Sequence, residues 1–385
     1  MDSDMYLDFI KDSKSIIEKN IDGKENDNSK SYIPILSCTQ CNDTEYLSSV
    51  LRKSLENLDE NLIKFDGKYS SKNGLKIYWA DDYNDVLSGL HTIVSKKNIK
   101  TVYYQNDYLY DEVGLNDFIR KEKLTYSDNA DVQFIKVEKL VADTGSILIF
   151  DKDMLVSGRL DNKSINIFLV GIEQVISTIA DAEIYSKVML SACENVYDSS
   201  IFYHPVLKGK DYLFLIDNGR STMLSMKKQR EALICLHCGR CKNVCSVYNV
   251  VGNKPYNNVF AGPIANVILP FFETIESYKH VSYACLMCGS CEKVCPLSIP
   301  IRDMVIENRK YFRENKCVDS SDNYRYMAYK KMVTNRNKMN KSKFLRSRTL
   351  KKYLSKTFRK KRKMPPLEVS SFNKQYLQKI ENNGK

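Results

Sequence analysis

The sequence predicts an α/β domain with a mostly parallel sheet, followed by a helical cysteine-rich module and a basic helical tail. Three observations underlie that expectation. Between about Gly74 and Ser221, short apolar runs alternate with amphipathic stretches, the pattern of a parallel sheet with helices on its faces. Between Cys235 and Cys295, one spaced set of four cysteines occurs twice. From Lys330 to Lys363 there are sixteen Lys and Arg and no acidic residue.

Residues 1–70 are polar, with Asp22–Lys30 reading as a loop between two short helical patterns. Cys38-x-x-Cys41 lies here and offers two thiols where a zinc or cluster site needs three or four, so it reads as plain cysteines. LKIYWA (Leu75–Ala80) is the first expected strand, and Val86–Lys96 a helix with Leu87, Leu90 and Val94 on one face. TVYY (Thr101–Tyr104) is the next strand, followed by a helix at Leu115–Lys123. The run 131–151 gives two strands about a turn at Asp143, Thr144 and Gly145. INIFLVG (Ile165–Gly171) is a further strand and Glu173–Cys193 a long helix. YLFLIDNGRS (Tyr212–Ser221) is one more strand, ending in a polar turn. No G-x-G-x-x-G follows the first strand, so a dinucleotide-binding domain is not expected.

At 385 residues, 43% apolar and 28% charged, the chain suits two or three domains with a sizeable core. No apolar run approaches the ~20 residues that cross a bilayer, and the acidic start MDSDMYLDF lacks the pattern of a secretory signal. A cytoplasmic setting is expected, where thiols stay reduced. The twelve cysteines then read as metal or redox ligands rather than disulfides. The net charge of +12 is smaller than the excess carried by the basic segment alone. Such a segment fits nucleic acid, an anionic membrane surface or an acidic partner, or is a solvated tail.

Cys235-x2-Cys238-x2-Cys241-x3-Cys245 recurs as Cys285-x2-Cys288-x2-Cys291-x3-Cys295, followed by Pro296. Three thiols at every third residue hold three corners of a cubane, and the fourth cysteine points to the other cluster. One [4Fe–4S] cluster is therefore expected on Cys235, Cys238, Cys241 and Cys295, and another on Cys285, Cys288, Cys291 and Cys245. Zinc also takes four cysteines, but usually from two C-x-x-C knuckles across a gap. Gly239 and Gly289 recur at one offset, where the backbone wraps closely and positive φ is tolerated. Ser246 stands where the other copy has Pro296. The 39 residues between the motifs include the helical stretch Pro263–Glu276, which suggests the α-helical ferredoxin type.

LIDNGRS (Leu215–Ser221), the first motif, AGPIANVILP (Ala261–Pro270), and the second motif with PLSIPIRDMV (Pro296–Val305) resemble one family. It is the iron–sulfur B subunit of the bacterial L-lactate utilisation (LUD) complex. DEVGL (Asp111–Leu115), VADTGSILIFD (Val141–Asp151) and FLVGIEQVISTIADA (Phe168–Ala182) resemble its LUD domain, and MPPLEVSSFNKQY (Met364–Tyr376) its C-terminal signature.

The resemblance implies an isomerase/CoA-transferase-like LUD fold within a three-protein cytoplasmic system that oxidises L-lactate to pyruvate. This subunit would relay electrons through its clusters to and from donor and acceptor proteins. The expected division is a polar segment 1–70, an α/β domain 71–210, a linker 211–229, a ferredoxin domain 230–316 and a basic tail 317–385. Family members carry an extra, histidine-containing segment where this chain runs directly from Asp128 to Asp131. None of its four histidines (His91, His204, His237, His280) falls there, so a docking or scaffolding role is expected for this domain.

Catalytic residues are not assigned. No flavin or nicotinamide motif is visible, which places chemistry at the hydroxy-acid carbon in a partner or a shared site. Other candidates weigh less. Glu112 and Thr144-Gly145-Ser146 are candidates for an anion pocket at strand ends, with turn chemistry as the plainer reading. His237 is either a tuning residue or a solvent-facing loop residue. Cys193 and Cys317 read as structural thiols. Tyr212–Arg220 is expected to position the linker against the clusters, with Asp217 a minor catalytic candidate. The rival function is a stand-alone ferredoxin-type carrier serving another dehydrogenase or a quinone-linked chain. Nucleic-acid binding is disfavoured, because Tyr326, Tyr329, Phe344, Tyr353 and Phe358 read as apolar helix positions rather than a stacking platform.

If the basic tail docks on an acidic partner subunit, replacing Lys360, Lys361, Arg362 and Lys363 with Gln slows association and flattens its salt dependence. Stopped-flow association at several salt concentrations measures this. Displacement of the partner by duplex DNA or single-stranded RNA at physiological salt would count against docking.

Overall fold

The computed structural model describes residues 38–383 apart from 69–74, 106, 152–156, 161–163, 193–198, 204–210, 255, 257, 259, 319 and 336–371. Its described strands are β1 (Leu75–Ala80), β2 (Thr101–Tyr104), β3 (Thr125–Tyr126), β4 (Val132–Lys136), β5 (Lys139–Val141), β6 (Ser146–Asp151), β7 (Ile165–Gly171), β8 (Val175–Ile176), β9 (Ser199–Tyr203) and β10 (Asp211–Ile216). Six of them form a sheet in the order β1-β10-β7-β4-β2-β3, with every pairing parallel. The remaining four form a second sheet, β8-β5-β6-β9, in which β5–β6 and β6–β9 are antiparallel and β5–β8 is parallel.

The central strands β7 and β10 read as unbroken apolar runs because both faces of the sheet are covered. Ile167, Leu169, Tyr212 and Phe214 face one core with Val86, Leu90 and Phe118 of the flanking helices. Phe168, Val170, Leu213 and Leu215 face the other, where Ile147 and Ile149 of β6 meet them and stack the two sheets. Leu148 and Phe150 point to the far side of the small sheet. There they share one apolar cluster with Leu47 and Leu51 of the helix Cys38–Glu56 and with Val267, Ile268, Met304 and Val305 of the cysteine-rich module. The module is therefore packed into the same compact unit, which runs to Cys317. In a second unit, from Val318, the described helices are Ser320–Val333 and Phe372–Asn383. No described helix is long and apolar enough to cross a membrane.

The α/β class expected from the sequence is observed, with five differences. The run 131–151 gives three strands rather than two, because the chain leaves the large sheet after β4 and β5 pairs with β6 and β8. Glu173–Cys193 is not one helix. It divides into a 3-10 turn Ile172–Gln174, strand β8 and the helix Ile179–Ala192, because Val175 and Ile176 pair with Leu140 and Val141. Residues 211–216 are not linker but the strand between β1 and β7. The helices Cys38–Glu56 and Leu58–Gly67 are not a separate polar segment, since Leu58, Leu62 and Phe65 enter the inter-sheet core. Pro263–Glu276 is two helices, Ala265–Phe272 and Ile275–Ala284, broken where Thr274 caps the second by accepting the Ser277 N–H. Most of the basic segment and the stretch 364–371 lie outside the described residues.

Where β10 ends, Asn218 and Gly219 turn the chain with φ of 42° and 87°, and Arg220 opens the short helix Arg220–Ser225. The Arg220 side chain has no solvent exposure. Its Nε donates to Glu173 Oε2 at 2.6 Å, and its two terminal nitrogens donate to Glu112 Oε1 and Oε2 at 2.8 and 3.0 Å. The Phe272 ring lies 4.4 Å from the guanidinium. A Cβ on Gly219 would stand 2.2 Å from the Phe271 carbonyl oxygen, so this turn needs glycine for both its φ and the close approach. Arg220→Met leaves two buried carboxylates without their cation, and the expected loss is about 3–5 kcal/mol. Denaturant unfolding checks it, and an unchanged midpoint would contradict the structural role given to the triad.

Candidate metal centre and adjoining cavity

The two cysteine motifs fold into nearly the same backbone. Cys235 and Cys285 have φ/ψ of −57°/130° and −62°/127°. His237 and Met287 follow with φ of 52° and 60°, then Gly239 and Gly289 with 75° each. Both loops enter a four-residue helix, Arg240–Asn243 and Ser290–Lys293. Sequence reasoning also invoked steric room for the two glycines. The described neighbours of an added Cβ lie no closer than 3.6 and 3.5 Å, so the requirement seen here is the positive φ. Backbone N–H groups point at sulfur in matched positions: His237 to Cys235 and Met287 to Cys285, both at 3.4 Å. Tyr248 to Cys245 and Ile299 to Cys295 follow, both at 3.5 Å. Such donors favour the charged thiolate over the thiol.

Cys295 of the second motif joins thiols of the first on one cavity wall, and Cys245 of the first lies near Cys285 and Cys291 of the second. A cavity of about 330 Å³ is lined by Cys235, Cys238, Cys241 and Cys295. Burial, then the nearby Cys238 and Cys295, push Cys241 up to about 11. Burial, then Cys241, Cys285 and Cys245 among its neighbours, push Cys291 up to about 12, and Cys285 is raised by burial with Cys245 and Cys288 close by. Crowded, buried thiolates need positive charge to coexist, which iron supplies. Each thiol of a cubane binds its own iron, so these ligands stand farther apart than those of a single ion. Among the described residues, no three His, Cys, Asp or Glu side chains stand at single-ion spacing. Tyr256 is 1% exposed, and its hydroxyl finds no acceptor among the described residues while Cys245, Cys285 and Cys241 lie near it. Cluster sulfur would supply the missing acceptor, so donor set and surroundings fit iron–sulfur clusters.

The cavity also reaches the carboxyl ends of the parallel strands. Lys136 closes β4 and lies 3.5 Å from Asp107 Oδ2 and 3.0 Å from Glu138 Oε1. Tyr185 donates to Glu138 Oε2 at 3.2 Å. His237 is exposed, as expected of a loop residue, and its ring also borders the cavity and stacks on Tyr108 at 4.3 Å, with Phe260 at 5.5 Å.

Sequence reasoning located the cysteines but misplaced the strand-end pocket. Glu112 is consumed by Arg220 and by Asn218, which donates to it at 2.7 Å. Thr144-Gly145-Ser146 is the β5–β6 hairpin turn, closed by the Gly145 N–H on Val141 O. Asp217 accepts the Ser221 N–H at 2.7 Å and caps the helix that starts at Arg220. Cys317 donates weakly to Asn315 O at 3.5 Å. Cys193 and the side chains of Cys38 and Cys41 lie outside the described residues. Lys136, Glu138 and Lys139 were missed. Charged residues at the inner end of a strand pair, VQFIKVEKLV, were the available signal.

A parallel α/β domain joined through one core to twin cysteine loops defines an α/β–ferredoxin fusion of the iron–sulfur class. Residues 231–299 match the 4Fe-4S dicluster domain family. The chain is also similar to Lactate utilization protein B 2 of Bacillus mycoides and to Lactate utilization protein B of Bacillus thuringiensis and Bacillus cereus. Each is 22% identical over 340 residues, which cover 69% of this chain and 71% of the relative. The resemblance read from the sequence is thus found among curated relatives. A solved structure, a DUF162 family protein from Deinococcus radiodurans, aligns with 43% of this chain and 98% of its own at 8% identity, with a TM-score of 0.27.

Burial raises the Asp107 carboxyl to about 6, more than Lys136 lowers it. The folded protein therefore binds this proton more tightly than the unfolded chain, and stability falls as pH rises from about 4 to about 6. Asp107→Asn keeps an oxygen to cap Leu109 N–H and removes the buried charge. It should stabilise the protein by roughly 1–3 kcal/mol near pH 8, with the gain shrinking as the pH approaches 4. Unfolding midpoints at about pH 5 and pH 8 test the trend. A gain that grows on acidification would be the wrong sign.

Proposed function

We propose that this chain is the iron–sulfur electron-transfer subunit of a lactate-oxidising assembly, holding two [4Fe–4S] clusters. Cys235, Cys238, Cys241 and Cys295 hold the first, and Cys285, Cys288, Cys291 and Cys245 the second. The observation that carries this reading is the presence of Cys295, from the second motif, on the same cavity wall as the three spaced thiols of the first. When bound, the clusters supply one-electron transfer. The chain's own part is to fix the sulfurs by backbone N–H groups and to keep water from the inner thiols. Tyr256 offers a hydroxyl between the two sets.

The lactate specificity is carried by the named relatives. The two-electron step on the hydroxy acid belongs to a partner or to a site this chain shares with one. In this reading residues 230–316 are the cluster-bearing domain and the basic residues beyond 317 dock on another subunit. The setting is cytoplasmic, where thiolate ligands persist reduced, in keeping with the free cysteines observed.

Anaerobically purified chain should contain about eight irons and about eight sulfides, with EPR signals on reduction. Stoichiometric zinc without sulfide would overturn the reading. Cys245→Ser should damage the cluster on Cys285, Cys288 and Cys291 more than the nearer one. Co-purification with an unrelated dehydrogenase in place of lactate-oxidising subunits would overturn the assignment of the assembly.

A further inference from the structure

Lys139 is 6% exposed and lines the cavity beside the first thiol set. Among the described residues its Nζ makes no hydrogen bond or ion pair; the Tyr185 ring lies 5.0 Å from it. Glu173 and Glu138 act on it from a distance, and burial lowers its ammonium to about 8. Both carboxylates are engaged elsewhere, Glu173 by Arg220 and Glu138 by Lys136. A buried ammonium without an anion is costly, and the cavity of about 330 Å³ extends beyond the thiols past Lys139 to Tyr185 and Met189. On the same wall Asp107 Oδ2 and Glu138 Oε1 share one cation, Lys136, at 3.5 and 3.0 Å, and a carboxylate oxygen can accept from a second donor. Asp107 follows β2 and Glu138 follows β4, at the carboxyl ends of parallel strands where open α/β sheets bind ligands, and Lys139 opens β5 next to them. Asp107, Lys136, Glu138, Lys139 and Glu173 line this cavity together with the thiols Cys235, Cys238, Cys241 and Cys295.

We propose that this cavity binds a small hydroxy acid, its carboxylate on Lys139 and its hydroxyl donated to Asp107 or Glu138. The ligand class deepens the function proposed above and rests on it. A ligand held here lies beside the first cluster, so this chain supplies part of the substrate site as well as the electron path.

The test is calorimetric titration of the anaerobic full chain, with iron content and EPR established first. L-Lactate should bind saturably. Propionate, which lacks the hydroxyl, should bind about tenfold more weakly or worse, and 1,2-propanediol, which lacks the carboxylate, should not bind. Lys139→Met should lose about tenfold or more in L-lactate affinity, Lys139→Arg should retain part of it, and Lys64→Met on the exposed helix surface should change nothing. The ligand comparison needs no variant, so it stands even if Lys139→Met fails to fold. A cluster-loaded wild type without saturable L-lactate binding, or with equal affinity for the three compounds, overturns the proposal. So does Lys139→Met with unchanged affinity and a displaced cluster potential, which would make Lys139 a counter-charge to the cluster. A chain without clusters would instead overturn the iron–sulfur reading.

Discussion

Arg220 carries a full positive charge with no access to water, and three strand ends converge to accommodate it. Taking a guanidinium out of water costs several kcal/mol, and the loss is offset only by well-placed partners. Glu112 comes from the helix Tyr108–Glu112, Glu173 from the turn after β7, and Arg220 itself from the turn after β10. None of these can shift without stranding a buried charge. The triad contributes modest net stability and strong positional specificity, because every other arrangement of these strand ends is penalised.

The same residue sets the cysteine module against the sheet. The Phe272 ring lies on the guanidinium, and the Phe271 carbonyl fits against the space left by Gly219. At the other end of the helix that supplies Glu112, Tyr108 stacks on His237 of the first cysteine loop. The cavity is therefore walled on one side by the sheet and on the other by the module, and neither wall is adjustable alone. A site built this way is pre-organised, which is what a substrate or an electron-transfer centre requires of its surroundings.

Most of the sheet was legible because β7 and β10 are buried on both faces and so read as continuous apolar runs. The cysteine loops were legible because their geometry is local: spacing alone implies three thiols in one turn and a fourth elsewhere. The small second sheet was not, because Val175–Ile176 is two residues long and is strand only by pairing with Leu140–Val141. Nor were the partners of Arg220, which lie 108 and 47 residues away in sequence. Lys139 was hidden for a related reason. In an alternating strand, a lysine reads as the solvent face, and only the covering module makes it buried.

Duplication of a motif does not give duplicate sites. The two loops share their dihedral angles, but Leu236 of the first is 6% exposed and His237 stacks on Tyr108 and Phe260. In the second loop Leu286 is 68% exposed and Cys288 is exposed. Solvent exposure and hydrogen bonding set the potential of a cluster at fixed ligation, so clusters held by the two loops would be unequal electron acceptors. Cys291 lies close enough to Cys241 to feel its charge, and Tyr256 stands beside thiols of both sets. One site thus adjoins the polar cavity, the other reaches the surface, and they abut. The inequivalence comes from packing: Leu236 of the first loop is buried, whereas Leu286, at the same place in the second, is exposed.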